Sequence, residues 1–403
     1  MSDTRDYDIV LWGATGYTGR LVASHLLRRA GGLRVALAGR NRPKLDELAA
    51  ELGKPDVPTL VGVREDRTFV DQLASSARVV CTTVGPYAAY GSDLVEACAR
   101  LGTDYCDLSG EIQWIRRMID LHGAKAEESG ARIVHSCGFD SIPADLGVLF
   151  LQTYSQEHAG GPCDRVRARV KDLSGGLSGG TLASLQGLID EAWGDPAVRR
   201  LLLDPYALNP HGDRSGPDRN EAMTPGHDPD FGWTAPFLMA GANARIVRRS
   251  IALLGYPYGR DFQYEEALAT GRGLTGLAAA TAIAGATGAG LASLALPPLS
   301  KLTARFRPKP GEGPSREQRE AGRFTYVFLG SQDGTPRVRA TVTAEVDPGY
   351  AATARMLAES ALCLAADSPI CKGGSWTPAS ALGMELVGRL DEVGVLFNAA
   401  LSD

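Results

Sequence analysis

Three glycines spaced three apart, Gly13, Gly16 and Gly19, stand in the run WGATGYTGR. Residues without side chains suit one kind of chemistry there: they let a phosphate group approach backbone N–H groups at a helix start. Gly13 suits the tight turn, Gly16 the approach of a pyrophosphate, and Gly19 close packing of helix on strand. Ala14, Thr15, Tyr17 and Thr18 supply the rest of that cradle. A dinucleotide turn often places an acid about twenty residues on, for a ribose hydroxyl. Here the corresponding strand ends in Gly39, Arg40, Asn41 and Arg42. An arginine fork suits a 2′-phosphate, so the reading is NADP(H), with Arg40 and Asn41 at the phosphate. Val84, Gly85 and Pro86, in the run VGPY, read as the wall of the nicotinamide ribose. Candidate acids follow at Tyr87, Tyr105 and Asp107, since a tyrosine stays protonated near neutral pH. Ser109, Glu111, Asp140 and Ser141 occupy neighbouring strand ends, and Asp140 reads as capping or orienting backbone.

The elements that must position these residues alternate. DIVLW (8–12), RVALAG (34–39), TLVGV (59–63), RVVCTTVG (78–85), TDYCDLSG (103–110) and ARIVHSCG (131–138) read as strands. Runs with helical spacing of apolar residues separate them, as at 43–53, 67–76, 91–102 and 111–130. Strands and helices in this rhythm predict a doubly wound parallel sheet of Rossmann type. The glycines fall at its first strand-to-helix turn. The spacing GxxGxxG departs from the usual GxGxxG, so that placement carries the weight.

After CGFDSIPADLG (137–147) the alternation fades. DRVRARVKDL (164–173), FTYVFLGSQ (324–332) and RVRATVTAEV (337–346) predict strands of a second sheet, mixed or antiparallel, in an α+β domain. A helix starts near Thr181, and its N-terminus is a second anion site or a simple cap. Residues 204–233, dense in Pro, Gly and Asp, read as a lid or a mobile surface loop. ARIVRRSIALLGY (244–256) predicts a helix with a basic face. The uncharged stretch 273–299 reads first as a helical pair packed inside the protein or at a dimer interface. Contact with a membrane surface and the lining of an acyl channel are the alternatives. Residues 307–324 read as a polar linker and 350–367 as a long helix. The domain reading is therefore 1–140 for the dinucleotide, 141–375 for substrate and dimerisation, and 376–403 as a C-terminal helix returning to the first domain.

Forty-two basic and 47 acidic residues leave a formal net charge of -5, which supplies no electrostatic footprint for nucleic acid. Seven cysteines with no CxxC pair read as reduced thiols of a cytoplasmic protein. Six scattered histidines with no HExxH argue against a metal site.

GATGYTGR, AGRN, VGPY, YCDLSGE and CGFDSIPADLG, in this order, resemble the saccharopine dehydrogenase-like oxidoreductases. The likeness continues through SGGT (178–181), PFLMA (236–240), VRRSIALL (247–254), PGEGPS (310–315) and TPASALG (377–383). Within that family the chain is most similar to the mycobacterial trans-acting enoyl reductases. The resemblance implies NADPH binding and reduction of an α,β-unsaturated acyl chain carried on a polyketide synthase, in complex lipid assembly. A homodimer with peripheral membrane contact fits that setting. Two other classes stand beside it: a saccharopine-type amino-acid or imine dehydrogenase, and a non-catalytic NADPH-binding protein of lipid surfaces. Two carboxylate-binding arginines facing the nicotinamide would favour the dehydrogenase over a greasy channel.

Overall fold

The opening apolar run forms β1 (Tyr7–Trp12), buried at five of its six positions. Burial on both faces is what a central parallel strand requires. In the computed structural model, which describes residues 5–174, 179–214, 216–296, 298, 313–366 and 371–402, five further strands follow in this half. They are β2 (Val35–Gly39), β3 (Thr59–Val61), β4 (Ala77–Thr82), β5 (Asp104–Cys106) and β6 (Arg132–Val134). Helices Tyr17–Arg29, Arg42–Glu51, Arg67–Ser76, Ser92–Leu101 and Ile112–Ser129 alternate with them. All adjacent pairs are parallel.

The second half builds β7 (Arg165–Leu173), β8 (Gly226–Asp228), β9 (Gly232–Ala235), β10 (Gln263–Gly271), β11 (Phe324–Gln332) and β12 (Thr335–Ala344). It ends with β13 (Gly374–Trp376) and β14 (Leu396–Leu401). Two seven-stranded sheets result, in the orders β13-β6-β5-β4-β1-β2-β3 and β14-β12-β11-β7-β10-β9-β8. The second is mixed: β7 and β10 run parallel, and its other pairs are antiparallel. In the first, the chain steps outward from β1 to β3 and then resumes at β4 on the other side of β1. That reversal opens a crevice at the carboxyl ends of β1 and β4.

The C-terminal helix, Pro378–Glu392, touches β6 of the first sheet, and a strand returns to that sheet ahead of it. That strand is β13, parallel to β6. Three residues are too few to show a period of two. The helix Pro378–Glu392 packs on helices Ile142–His158 and Thr353–Ala366, and β14 closes the second sheet against β12. Helix Thr353–Ala366 covers a face of the first sheet, lying on helix Tyr17–Arg29 and on β1, β4 and β5. Its buried Glu359 pairs with His25 (2.7 Å), Arg29 (3.2 Å) and Arg389 (3.3 Å). Burial raises that carboxyl, but His25 and Arg29 outweigh it and hold it below the usual range.

Two expectations are corrected. The helix Ala240–Leu253 has no solvated basic face. Arg245, Arg248 and Arg249 are 5%, 3% and 4% exposed. Arg248 donates to Asp218 (2.7 Å) and Glu221 (3.0 Å), and Arg249 to the Ser375 carbonyl (2.6 Å). The helix end at Leu202 and the irregular backbone at 204–208 and 218–221 carry carbonyls that need donors, and guanidinium groups supply several each. Burial, reinforced by the nearby Arg116 charge, brings the Arg249 guanidinium down to about 9. The 204–233 segment is thus clamped to this helix along much of its length, and its end forms β8 and the start of β9.

The uncharged stretch is not a packed helical pair. It is one helix, Gly273–Ala295, buried only at Gly276, Ala280 and Leu294. One edge rests on β9, β10 and helix Gly179–Gly194. By length and composition it could cross a membrane. Its alanines and glycines gain little from burial, so a single line of attachment suffices. Leu299, part of the linker (307–312) and Ser178 lie outside the described residues.

Candidate active site

The ends of β1, β4, β5 and β6 open into a cavity of about 950 Å³. The glycine turn forms its floor. Gly13 has φ +89°, and a Cβ there would lie 2.7 Å from Val84 Cγ2. A Cβ on Gly19 would lie 2.0 Å from the Gly13 carbonyl oxygen, so helix and strand meet where only glycine fits. Gly16 caps the helix Tyr17–Arg29 without a side-chain bond, leaving the helix's first N–H groups to a ligand. Gly16, Tyr17, Thr18 and Gly19 line the cavity, with Gly85 and Tyr87 beyond them; Ala14 and Thr15 form the turn itself.

Arg40 is exposed at the end of β2 and makes no ion pair among the described residues. Asn41 caps the next helix, accepting from Lys44 N–H at 3.0 Å. This cradle, with an uncommitted guanidinium on the adenosine side, fits a dinucleotide bearing a 2′-phosphate. Val84 and Pro86 flank Gly85, and Val84 packs under the glycine turn.

The three candidate acids are placed differently. Tyr87 is in the wall, but its hydroxyl donates to the Thr82 carbonyl and accepts from Leu108 N–H, both at 3.1 Å. Tyr105 and Asp107 are fully buried behind the wall. Asp107 accepts from the N–H groups of Ser109 and Ser136, each at 3.0 Å, and pairs with His135 Nδ1 at 2.7 Å. It ties the turn after β5 to the turn after β6. Burial, then the Asp107 charge, pushes both phenols well above the ordinary tyrosine value.

Glu111 lines the cavity and accepts from Tyr87 N–H (2.7 Å), Ala88 N–H (2.9 Å) and the Ser184 hydroxyl (2.8 Å). It caps the short helix Tyr87–Tyr90 and binds helix Gly179–Gly194 to the first domain. Ser141 donates to Asn243 at 3.2 Å. Asp140 caps nothing: its side chain lines the cavity, and burial pushes its carboxyl up to about 6.

The far wall was the least visible in the sequence. Leu182, Leu185 and Leu188 come from helix Gly179–Gly194, Phe237 and Met239 from the PFLM run, and Leu291 and Leu294 from the uncharged helix. Arg245 also reaches the wall, but it is spent on the carbonyls of Leu202, Asp204 and Gly241 and on Asn220.

These features define a class, the NADP-dependent oxidoreductases. Residues 9–134 match the family model described as the saccharopine dehydrogenase NADP binding domain. The apo L-Glu-forming saccharopine dehydrogenase of Saccharomyces cerevisiae superposes with a TM-score of 0.53 at 14% identity, over 98% of this chain and 100% of that one. A trans-acting enoyl reductase of Mycobacterium tuberculosis H37Rv is 40% identical over 97% of each chain. One from Mycobacterium ulcerans is 39% identical over 99% of each. The chain belongs to the trans-acting enoyl reductase family, and its cofactor is NADP(H).

Proposed function

We propose that the chain reduces the α,β-double bond of a long acyl thioester, presented on the carrier of a polyketide synthase. One observation carries this reading: the cofactor crevice continues into a lobe walled by leucines, and the arginine in that wall is already committed. A dicarboxylate substrate needs free cationic partners, whereas an acyl chain needs apolar surface. NADPH, when bound, supplies hydride to the β-carbon. The N–H groups at Gly16–Gly19 hold the pyrophosphate, Arg40 the 2′-phosphate, and Val84, Gly85 and Pro86 flank the nicotinamide ribose. Tyr87, Tyr105 and Asp107 act as positioning residues for the strand ends, because none offers an uncommitted proton to the cavity. The exposed side of helix Gly273–Ala295 is the surface for peripheral lipid contact or a second copy. The domain division at about residue 140 separates cofactor from substrate chemistry.

The test is NADPH consumption with a long-chain trans-2-enoyl thioester, run beside glutamate plus aminoadipate semialdehyde. Oxidation with the thioester alone is expected. Turnover with the amino-acid pair alone would move the chain to the dehydrogenase class. Tight NADPH binding with turnover of neither would favour the non-catalytic alternative.

A further inference from the structure

Among the described residues, three charged side chains stand in the cavity wall: Glu111, Arg245 and Asp140. Glu111 accepts three hydrogen bonds and Arg245 donates four, as described above. Asp140 hydrogen-bonds to no described residue. A carboxyl half-buried in an apolar wall without a donor is costly when ionised. Among the described residues, no side chain or backbone group is held by it.

Its position is specific. Asp140 sits in the turn between β6 and helix Ile142–His158. Arg40 ends β2, on the opposite side of the crevice. A dinucleotide with its 2′-phosphate at Arg40 and its pyrophosphate at Gly16 runs across β1 toward β4, β5 and β6. Its reacting end therefore points to the side that holds Asp140. The titratable groups around this part of the cavity are Tyr87 after β4, Glu111 after β5, and Tyr17 and Tyr350 at the glycine turn. Arg245 stands on helix Ala240–Leu253. Tyr326 on β11 packs its ring on Phe139 (6.0 Å) and donates to Glu266 on β10 (3.1 Å). None of them hydrogen-bonds Asp140.

We propose that Asp140 is the catalytic acid that delivers a proton to the α-carbon of the substrate. The inference rests on the enoyl-reduction reading. Hydride arrival forms a C–H bond at the β-carbon, and the π pair of the double bond moves toward the thioester, giving an enolate. The α-carbon then takes the carboxyl proton of Asp140. A C–H bond forms, the O–H bond breaks, and the resulting carboxylate recovers a proton from water. The alkene gains the two electrons that NADPH loses. Burial keeps part of the Asp140 population protonated near neutral pH, and an acyl chain filling the lobe displaces water and extends that range.

The experiment compares wild type, Asp140→Asn and Asp140→Glu. With an enoyl thioester, Asp140→Asn should lower kcat about 100-fold, in the range of general-acid effects, with KM and NADPH affinity unchanged. The fall of kcat at high pH should disappear in that variant, and Asp140→Glu should recover part of the rate. Wild-type kcat in Asp140→Asn would overturn the proposal. A second readout needs no turnover. In protein labelled with ¹³C-carboxyl aspartate, the resonance missing from Asp140→Asn should titrate near 6 and shift on adding NADPH. Titration near the ordinary 3.9, or indifference to NADPH, would overturn the assignment. A wild type that reduces no enoyl thioester would remove the reaction reading, while the resonance still decides whether Asp140 is an elevated acid beside the cofactor.

Discussion

The two walls of the cavity are built by different means. The cofactor side is mostly backbone: a glycine turn, a helix start and strand ends, drawn from residues 7–29 and 77–91. The far side is side chain, collected from helix Gly179–Gly194, residues 236–239, Leu268 and the helix Gly273–Ala295. A site made of backbone tolerates few changes, because glycine has no substitute where atoms already touch. A site made of apolar side chains tolerates many, provided that volume is kept. The difference predicts where mutation hurts binding and where it hurts only the fold.

The largest effect should come from Gly19→Ala, whose Cβ would stand 2.0 Å from a backbone oxygen. NADPH binding, followed by fluorescence, should be lost. Retained affinity would break the comparison at its strongest point. Next comes Arg248→Met, outside the cavity but on the helix that supplies Arg245 to the far wall. It strands Asp218 and Glu221 in the interior, at a cost of roughly 3–5 kcal/mol. Urea denaturation should report that loss, while the folded fraction keeps its NADPH affinity; a joint loss would mean that the two walls are one unit.

A third effect depends on pH. Burial, only partly offset by bonds from Asn243, Tyr264 and Tyr326, raises the Glu266 carboxyl to about 7. A folded value above the unfolded one means that the native state holds the proton longer. The Glu266 contribution is therefore full at low pH and is lost as pH rises from about 4.5 to about 7, on the order of 3 kcal/mol. Comparing melting temperatures across that range, Glu266→Gln should flatten the fall relative to wild type. An unchanged slope would place the titration elsewhere. The smallest effect is that of Arg40→Ala. NADPH should bind roughly tenfold more weakly, with NADH binding and melting temperature unmoved. Equal weakening of both dinucleotides would remove the 2′-phosphate role.

The first sheet was legible because each of its parts is local. The strand, the glycine turn and the helix lie within residues 7–29, and hydrophobic period alone separates them. The mixed character of the second sheet was only half legible. Three of its four long strands, β7, β11 and β12, show alternation or continuous burial, but β8 and β9 are three and four residues long and carry no period. The arginines at 245, 248 and 249 misled for a physical reason: charge suggests solvent, yet the irregular backbone packed against them needed donors. Asp140 could be seen as a residue but not as an uncommitted one. Whether a carboxylate has partners depends on segments more than a hundred positions away, such as Asn243 and Tyr326. The leucines of the far wall had no signal beyond being apolar, since they meet only in three dimensions.

Helix Thr353–Ala366 and β13 complete the first sheet from the far end of the sequence. On a ribosome, residues 7–134 emerge more than two hundred residues before their cover does. At about 5–20 residues per second that is a delay of roughly 10–40 s. Through that interval the face made by β1, β4, β5 and helix Tyr17–Arg29 has no lid of its own, and Glu359 is not there to meet His25. The nascent chain carries an open apolar surface until synthesis is nearly finished. Release of the first 140 residues alone would preserve the cofactor motif and expose its underside.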